Sequence, residues 1–228
     1  MRRIVTSAFV SLDGVMQAPG GPQEDPTGGF KHGGWVAPLW DDATGAAMDD
    51  LFSAPFDLLL GRKTYDIFAA YWPFVQVDPA ASRFDERNVQ IAERFNAVTK
   101  YVATHRPESL HWQHSQSLGD DVIERLRQLK REDGPTLLTQ GSSELLQALL
   151  EHDLIDEIRL LVFPLALGRG KRLFGAGTRP AAFKLKTSSV SPNGVLISAY
   201  ERAGDVATGS FALEEPTEAE LERRRNMR

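Results

Sequence analysis

The sequence predicts an α/β fold built on a mainly parallel sheet with an antiparallel edge. Three observations carry this. Short apolar runs such as Leu58-Leu59-Leu60 and Leu160-Leu161-Val162-Phe163 lack polar alternation, as strands buried on both faces do. These runs alternate with stretches of helical periodicity. Near the end, two breaker-free runs flank Ser191-Pro192-Asn193-Gly194, and Asn-Gly at such a joint signals a hairpin.

The elements follow in order. Residues 3–10 are β-branched and aromatic and read as the first strand, ended by Ser11-Leu12-Asp13-Gly14. Residues 17–34 are rich in Gly and Pro but punctuated by Phe30, with Trp35 and Trp40 beyond, which predicts a partly ordered lid. A helix is expected over 41–53, with Asp41 and Asp42 near its positive end, and Pro55 breaks it. Residues 56–60 form a buried strand, 64–70 a helix and 85–96 another helix, with Val89, Ile91, Ala92 and Phe95 inward. Residues 100–104 are a strand. Asp121 and Glu124 have capping-box spacing ahead of a stripe of Val122, Ile123, Leu126 and Leu129. After Gly134-Pro135 come a strand at 136–139 and a helix carrying Leu145, Leu146, Leu149 and Leu150. Residues 157–164 are a buried strand. A second glycine-rich loop follows (Gly168-Arg169-Gly170, then Gly175-Ala176-Gly177), and residues 183–190 and 195–202 form the hairpin. One domain over 1–204 is expected. Beyond it, 208–213 has the apolar content of an edge strand able to pair with a second copy, and a charged tail follows that is either a short solvated helix or disordered.

Composition narrows the function. The 228-residue chain has a net charge of −5, which gives no electrostatic case for nucleic acid or an anionic membrane. The absence of cysteine removes disulfides, thiolate metal sites and a cysteine nucleophile, and it suits a cytoplasmic setting. The N-terminus does not read as a signal peptide, because Asp13 interrupts the apolar run, and no segment has the length of a membrane-spanning helix. The five histidines are scattered. His111 and His114 would point to opposite faces of a strand, so no metal site is expected. Gly168-x-Gly170 lacks the third glycine of a dinucleotide fingerprint, since Leu173 stands there. Gly170-Lys171 lacks the Ser or Thr of a P-loop, since Arg172 follows.

The turns after three predicted strands hold the chemistry. Gly61, Arg62, Lys63 and Thr64 follow one, Thr104, His105 and Arg106 another, and Gln140, Gly141 and Ser142 a third with a helix directly behind. Each taken alone reads equally as a capped, solvated βα loop. Together, on the C-terminal edge of one parallel sheet, they can span an extended anion such as a dinucleotide. Arginine adds a planar fork suited to phosphate. Trp35, Trp40, Phe68, Tyr71, Trp72 and Phe163 could wall a pocket for a flat heterocycle, or could be core packing.

Residues 6–14 (Thr-Ser-Ala-Phe-Val-Ser-Leu-Asp-Gly), Leu60-Gly61-Arg62-Lys63-Thr64-Tyr65 and Gln140-Gly141-Ser142-x-x-Leu145 resemble the dihydrofolate reductase-like superfamily. Leu154-Ile155-Asp156-Glu157-Ile158 with Pro164-Leu165-x-x-Gly168-x-Gly170-x-x-Leu173-Phe174 is more specific. It resembles the reductase domain of the bifunctional riboflavin-biosynthesis deaminase-reductase and its stand-alone relatives. The resemblance covers residues 3–202. It implies a three-layer α/β/α reductase that uses NADPH on a small heterocyclic or carbonyl- or imine-bearing substrate, and a homodimer. It places Gly61, Arg62, Lys63 and Thr64 at phosphates, Thr104, His105 and Arg106 at the adenosine 2′-phosphate, and Gly141 and Ser142 at the pyrophosphate, with Gln140 beside them. Ala8, Asp13, Gly14 and Val15 would border the nicotinamide. No zinc-binding deaminase domain precedes this one, so the bifunctional enzyme is not expected. The family's acidic residue on the first helix would fall near Gly45, which speaks against folate and leaves Asp41, ahead of Asp42, as the candidate proton donor, with capping of that helix as the other reading of Asp41. The alternative is a non-catalytic nucleotide-binding or sensor protein on the same fold.

Overall fold

In a computed structural model of the chain, which describes residues 1–228 other than 83, 176, 177, 213, 214 and 228, eight strands form one sheet. They are β1 (Ile4–Ser11), β2 (Phe56–Gly61), β3 (Lys100–Ala103), β4 (Ser115–Ser117), β5 (Thr136–Gln140), β6 (Glu157–Phe163), β7 (Phe183–Val190) and β8 (Leu196–Arg202). The spatial order is β4-β3-β2-β5-β1-β6-β8-β7. The first six strands in that order pair in parallel, and β6-β8 and β8-β7 pair antiparallel. The hairpin turn is where Asn193-Gly194 placed it, with Gly194 at φ 79°.

Six α-helices accompany the sheet: α1 (Asp42–Leu51), α2 (Arg62–Ala69), α3 (Glu86–Ala97), α4 (Val122–Arg131), α5 (Ser143–Glu151) and α6 (Glu218–Arg225). Strand alternation divides the core into two. Leu58 and Leu60 join Met48 and Leu51 of α1, Tyr65 of α2 and Phe95 of α3 in one cluster. Leu59 faces the other way, with Leu126 and Leu129 of α4 and the four leucines of α5. Two apolar clusters on opposite sides of one sheet make the three layers. Leu59 is fully buried, so truncating it to alanine costs about 2–5 kcal/mol.

The structure departs from the sequence reading in three places. β4 is a polar tripeptide (Ser115-Gln116-Ser117) with no apolar alternation, and it forms because β3 offers a free edge. α2 begins at Arg62 rather than at 64, with Gly61 as its N-cap. The edge strand expected over 208–213 is absent over 208–212, which pairs with no strand and leaves Phe211 fully exposed. Leu213 and Glu214 lie outside the described residues, as do Ala176 and Gly177 of the second glycine-rich loop. The tail does form a short solvated helix, α6, capped by Thr217 and laced by Glu220 to Arg223 and Arg224. Among the described residues no helix is long and apolar enough to cross a membrane.

Candidate functional site

The site arises from how β5 is connected. β5 ends at Gln140, level with Ser7 of β1, while β1 runs on to Ser11. The helix after β5 packs into one core cluster. The helices after β1 and β2, on either side of it, pack into the other. A crevice opens at such a point because neighbouring connections leave toward opposite faces. Here it is a cleft of about 1250 Å³. Gly61, Arg62, Lys63 and Thr64 line it, as do Thr104, His105 and Arg106, and Gln140, Gly141 and Ser142. The three turns predicted separately therefore meet in one cavity.

Two helices start in this cleft, and they alone among the six lack a side-chain cap. Asp41, Asp85, Asp121 and Thr217 cap α1, α3, α4 and α6. The N-caps of α2 and α5, Gly61 and Ser142, offer no such acceptor. Glycine has no side chain, and the Ser142 hydroxyl instead accepts the Gly61 N–H at 2.8 Å. First-turn N–H groups of both helices thus face the cleft without intrahelical partners, at the positive end of each helix dipole. The turn into α5 is left-handed at two successive residues, Gly141 (φ 72°) and Ser142 (φ 66°). Glycine takes this freely, whereas serine there costs about 1–2 kcal/mol.

The cationic groups divide into bound and free. Arg62 is held on several sides: Nε donates to Asp66 at 2.9 Å, and Nη1 donates to Ser109 Oγ (2.6 Å), the Arg106 carbonyl (3.2 Å) and Thr104 Oγ1 (3.3 Å). Buried Thr104 also accepts the Arg106 N–H at 3.0 Å. Arg62 therefore ties the turn after β3 to the start of α2. Lys63, His105 and Arg106 are exposed at the cleft, and among the described residues neither Lys63 nor Arg106 forms an ion pair.

The remaining predicted residues fall outside the cleft wall or only partly in it. Ala8 faces the α4/α5 side and is buried, while its neighbours Ser7 and Phe9 line the cleft. Asp13 staples the loop after β6. It accepts from Ser11 Oγ (2.6 Å), the Leu167 N–H (3.0 Å) and the Gly168 N–H (2.9 Å), and it pairs with Arg172. The Ser11 and Leu167 bonds lead in lowering its carboxyl to about 2. Gly14, at φ 79°, makes the turn, and Val15 is buried in the core. Of the aromatics, Phe68, Tyr71 and Trp72 line the cleft. Trp35, Trp40 and Phe163 do not. Trp35 packs edge-on against Phe163 and donates to the Gln17 carbonyl, and Trp40 packs against Phe9.

Asp41, the candidate proton donor, is the N-cap of α1. Its carboxylate accepts the Thr44 N–H at 2.9 Å in a capping box and the Asn193 N–H at 3.0 Å, and it does not line the cleft. The Thr44 bond leads in lowering it to about 2, so it carries no proton to give at neutral pH. Gly45 bears no acid, and a Cβ there would meet only the movable end of the Arg87 side chain, with Nη1 2.1 Å away.

Residues 16–25, most of them within the stretch expected as a partly ordered lid, build a further wall with Lys171 that sequence reasoning did not assign to the site. Gln17 organises it, donating to the Asp25 and Thr27 carbonyls at 2.9 Å and accepting the Lys171 N–H at 3.0 Å. The Lys171 ammonium pairs with Asp25. No local pattern signals the bonds to Lys171, whose partners Gln17 and Asp25 lie 154 and 146 residues away in the chain.

Comparisons with known proteins agree with this architecture. The family model described as the RibD C-terminal domain matches residues 2–197. The uncharacterized protein YyaP of Bacillus subtilis (strain 168) is 24% identical over 207 residues, 89% of this chain and 96% of its own length. Two solved structures share the fold. The diaminohydroxyphosphoribosylaminopyrimidine deaminase/5-amino-6-(5-phosphoribosylamino)uracil reductase of Thermotoga maritima superposes with a TM-score of 0.55 at 14% identity, over 89% of this chain and 57% of that one. Dihydrofolate reductase from Enterococcus faecalis, complexed with NADP(H) and RAB-propyl, superposes with a TM-score of 0.52 at 14% identity, over 88% of this chain and 96% of that one. The sheet order, the cleft and the match over nearly the whole chain lead to one conclusion: the protein belongs to the RibD C-terminal domain family.

Proposed function

We propose that the protein is an NADPH-dependent reductase of a small heterocyclic or carbonyl- or imine-bearing substrate. The observation that carries this is the pair of uncapped helix N-termini, joined by the Gly61–Ser142 bond and opening on one cleft beside free cations. The residues fit the group. The first turns of α2 and α5 offer N–H donors for a pyrophosphate. Lys63, His105 and Arg106 offer charge for one further phosphate, and Arg62, already fixed by four acceptors, keeps that turn in place. When bound, NADPH supplies the hydride. Phe9, Phe68 and Trp72 supply an apolar wall that orients a flat ring and keeps water from it. The cofactor in the Enterococcus dihydrofolate reductase structure supports the same reading.

The test is calorimetric titration of NADPH and NADH, followed by NADPH oxidation with pyrimidinones, pterins, quinones and aldehydes. We expect NADPH to bind at least tenfold more tightly, as a charged contact of about 1.5–3 kcal/mol gives. Equal affinities would remove the assignment. The engagement of Asp41 as a helix cap favours one second reading, a nucleotide-binding protein without turnover. Tight NADPH binding with no oxidation across the panel would select it.

A further inference from the structure

The cleft is charged unevenly. Its cations without a carboxylate partner, Lys63 and Arg106, belong to the first turn of α2 and the turn after β3, and among the described residues they outnumber the one unpaired carboxylate on that side, Glu144 in the first turn of α5. The wall formed by the loop after β1 is different. The cation beside it, Lys171 of the loop after β6, is paired with Asp25. The wall's other carboxylate, Glu24, forms no ion pair among the described residues. One Glu24 oxygen, Oε2, accepts the Gly20 N–H at 2.6 Å and the Gly21 N–H at 3.1 Å. Burial pushes its carboxyl above the usual range, against these two bonds, as for a negative charge poorly compensated. The same cavity is walled by Phe68 and Trp72, with half-exposed Tyr71 beside them.

A phosphate placed by this wall would meet a carboxylate with no cation beside it and a lysine already paired. A flat neutral ring would meet aromatic faces and backbone polar groups. Resting on the reductase reading of the cleft, we propose that its substrate half takes a flat heterocycle bearing no phosphate, and that Glu24 rejects phosphorylated analogues. The protein would thereby differ from the Thermotoga enzyme, whose name specifies a phosphoribosylamino compound. Discrimination of this kind is built from a repulsive element as much as from attractive ones.

The experiment uses the full chain saturated with NADP⁺ at pH 7, with calorimetric titration of lumazine, uridine and uridine 5′-monophosphate. We expect at least one neutral probe to bind, and the monophosphate to bind about tenfold more weakly than uridine. Glu24→Gln keeps an acceptor for the Gly20 and Gly21 N–H groups while removing the charge, and it should close that gap. Asp25→Asn, which frees the Lys171 ammonium, should strengthen monophosphate binding independently. Thermal melts of both variants establish that the loop is folded. Three results overturn the proposal: monophosphate binding as tight as uridine in the wild type, a gap unmoved by both variants, or failure of both neutral probes. NADP⁺ affinity, measured on the same samples, separates the two readings. Retained cofactor binding with preference for the monophosphate sinks only the substrate inference. Loss of cofactor binding sinks the reductase reading itself.

Discussion

The Ser142 hydroxyl accepts the Gly61 N–H at 2.8 Å and so ties the start of α5 to the start of α2 across 81 residues of sequence. The bond takes up the one side chain that could have capped α5. It also fixes the spacing of two donor-rich turns.

Removing that hydroxyl should loosen both turns. Ser142→Ala leaves the Gly61 N–H without its acceptor and should cost about 1–3 kcal/mol of stability. NADPH affinity should fall with it. Gly61→Ala should weaken binding from the other side, because a Cβ there would sit 3.2 Å from the Ser142 Cβ and Oγ. Chemical denaturation and cofactor titration of both variants check this, and unchanged affinity in both would separate the turns from the cofactor.

The cations should divide by role. Arg106→Ala and Lys63→Ala remove charges with no ion-pair partner and should lower NADPH affinity while sparing NADH. Arg62→Ala should lower both, because its guanidinium holds Thr104, Ser109 and the Arg106 carbonyl in place. The ratio of the two dissociation constants in each variant is the readout. A ratio changed by Arg62→Ala alone would reverse the roles.

Asp41 should behave as a cap. Asp41→Asn preserves the acceptor and should change little, whereas Asp41→Ala should lower the melting temperature. Turnover of any substrate found should survive both changes. A collapse of turnover in Asp41→Asn, with the melting temperature intact, would restore the carboxylate to the chemistry.

Asp13 predicts an acid-sensitive loop. Its carboxyl is lowered from 3.8 to about 2, so the folded state binds a proton more weakly than the unfolded chain. The stabilisation is complete above the unfolded value and is lost as pH falls from about 4 to 2. Asp13→Asn should remove this part of the pH dependence and cost about 1–2 kcal/mol at pH 7. Denaturation midpoints of both proteins at pH 7 and pH 3 test it. The difference should shrink at the lower pH.

Deleting residues 206–228 should leave the sheet intact. Among the described residues the last backbone tie to the domain is the Ala182 N–H donating to the Gly204 carbonyl at 2.9 Å, and Phe211 beyond it is fully exposed. The melting temperature should change by no more than about 2 °C. Solution mass of the full and shortened chains would show whether two copies pair and whether the tail takes part.

Much of the fold is legible in the sequence because it is governed by local periodicity. Unalternated runs such as Leu58-Leu59-Leu60 determined the buried strands, Asp85 and Asp121 determined where α3 and α4 start, and Asn193-Gly194 determined the hairpin. Three donor-rich turns at strand ends could be read in the same way, and they do share one cleft. Tertiary structure decided what each polar group is free to do. Asp41 has the right residue type on the right helix, yet the distant Asn193 N–H and its own capping box claim it. Trp35 and Trp40 share the chemistry of Trp72, yet only Trp72 borders the cleft, since the others are committed to packing around Phe9 and Phe163. Lys171 and Asp25 meet across 146 residues, and β4 exists only because β3 leaves an edge open. Local sequence specifies which groups can donate, accept or bury; only the packed chain specifies which of them already have partners.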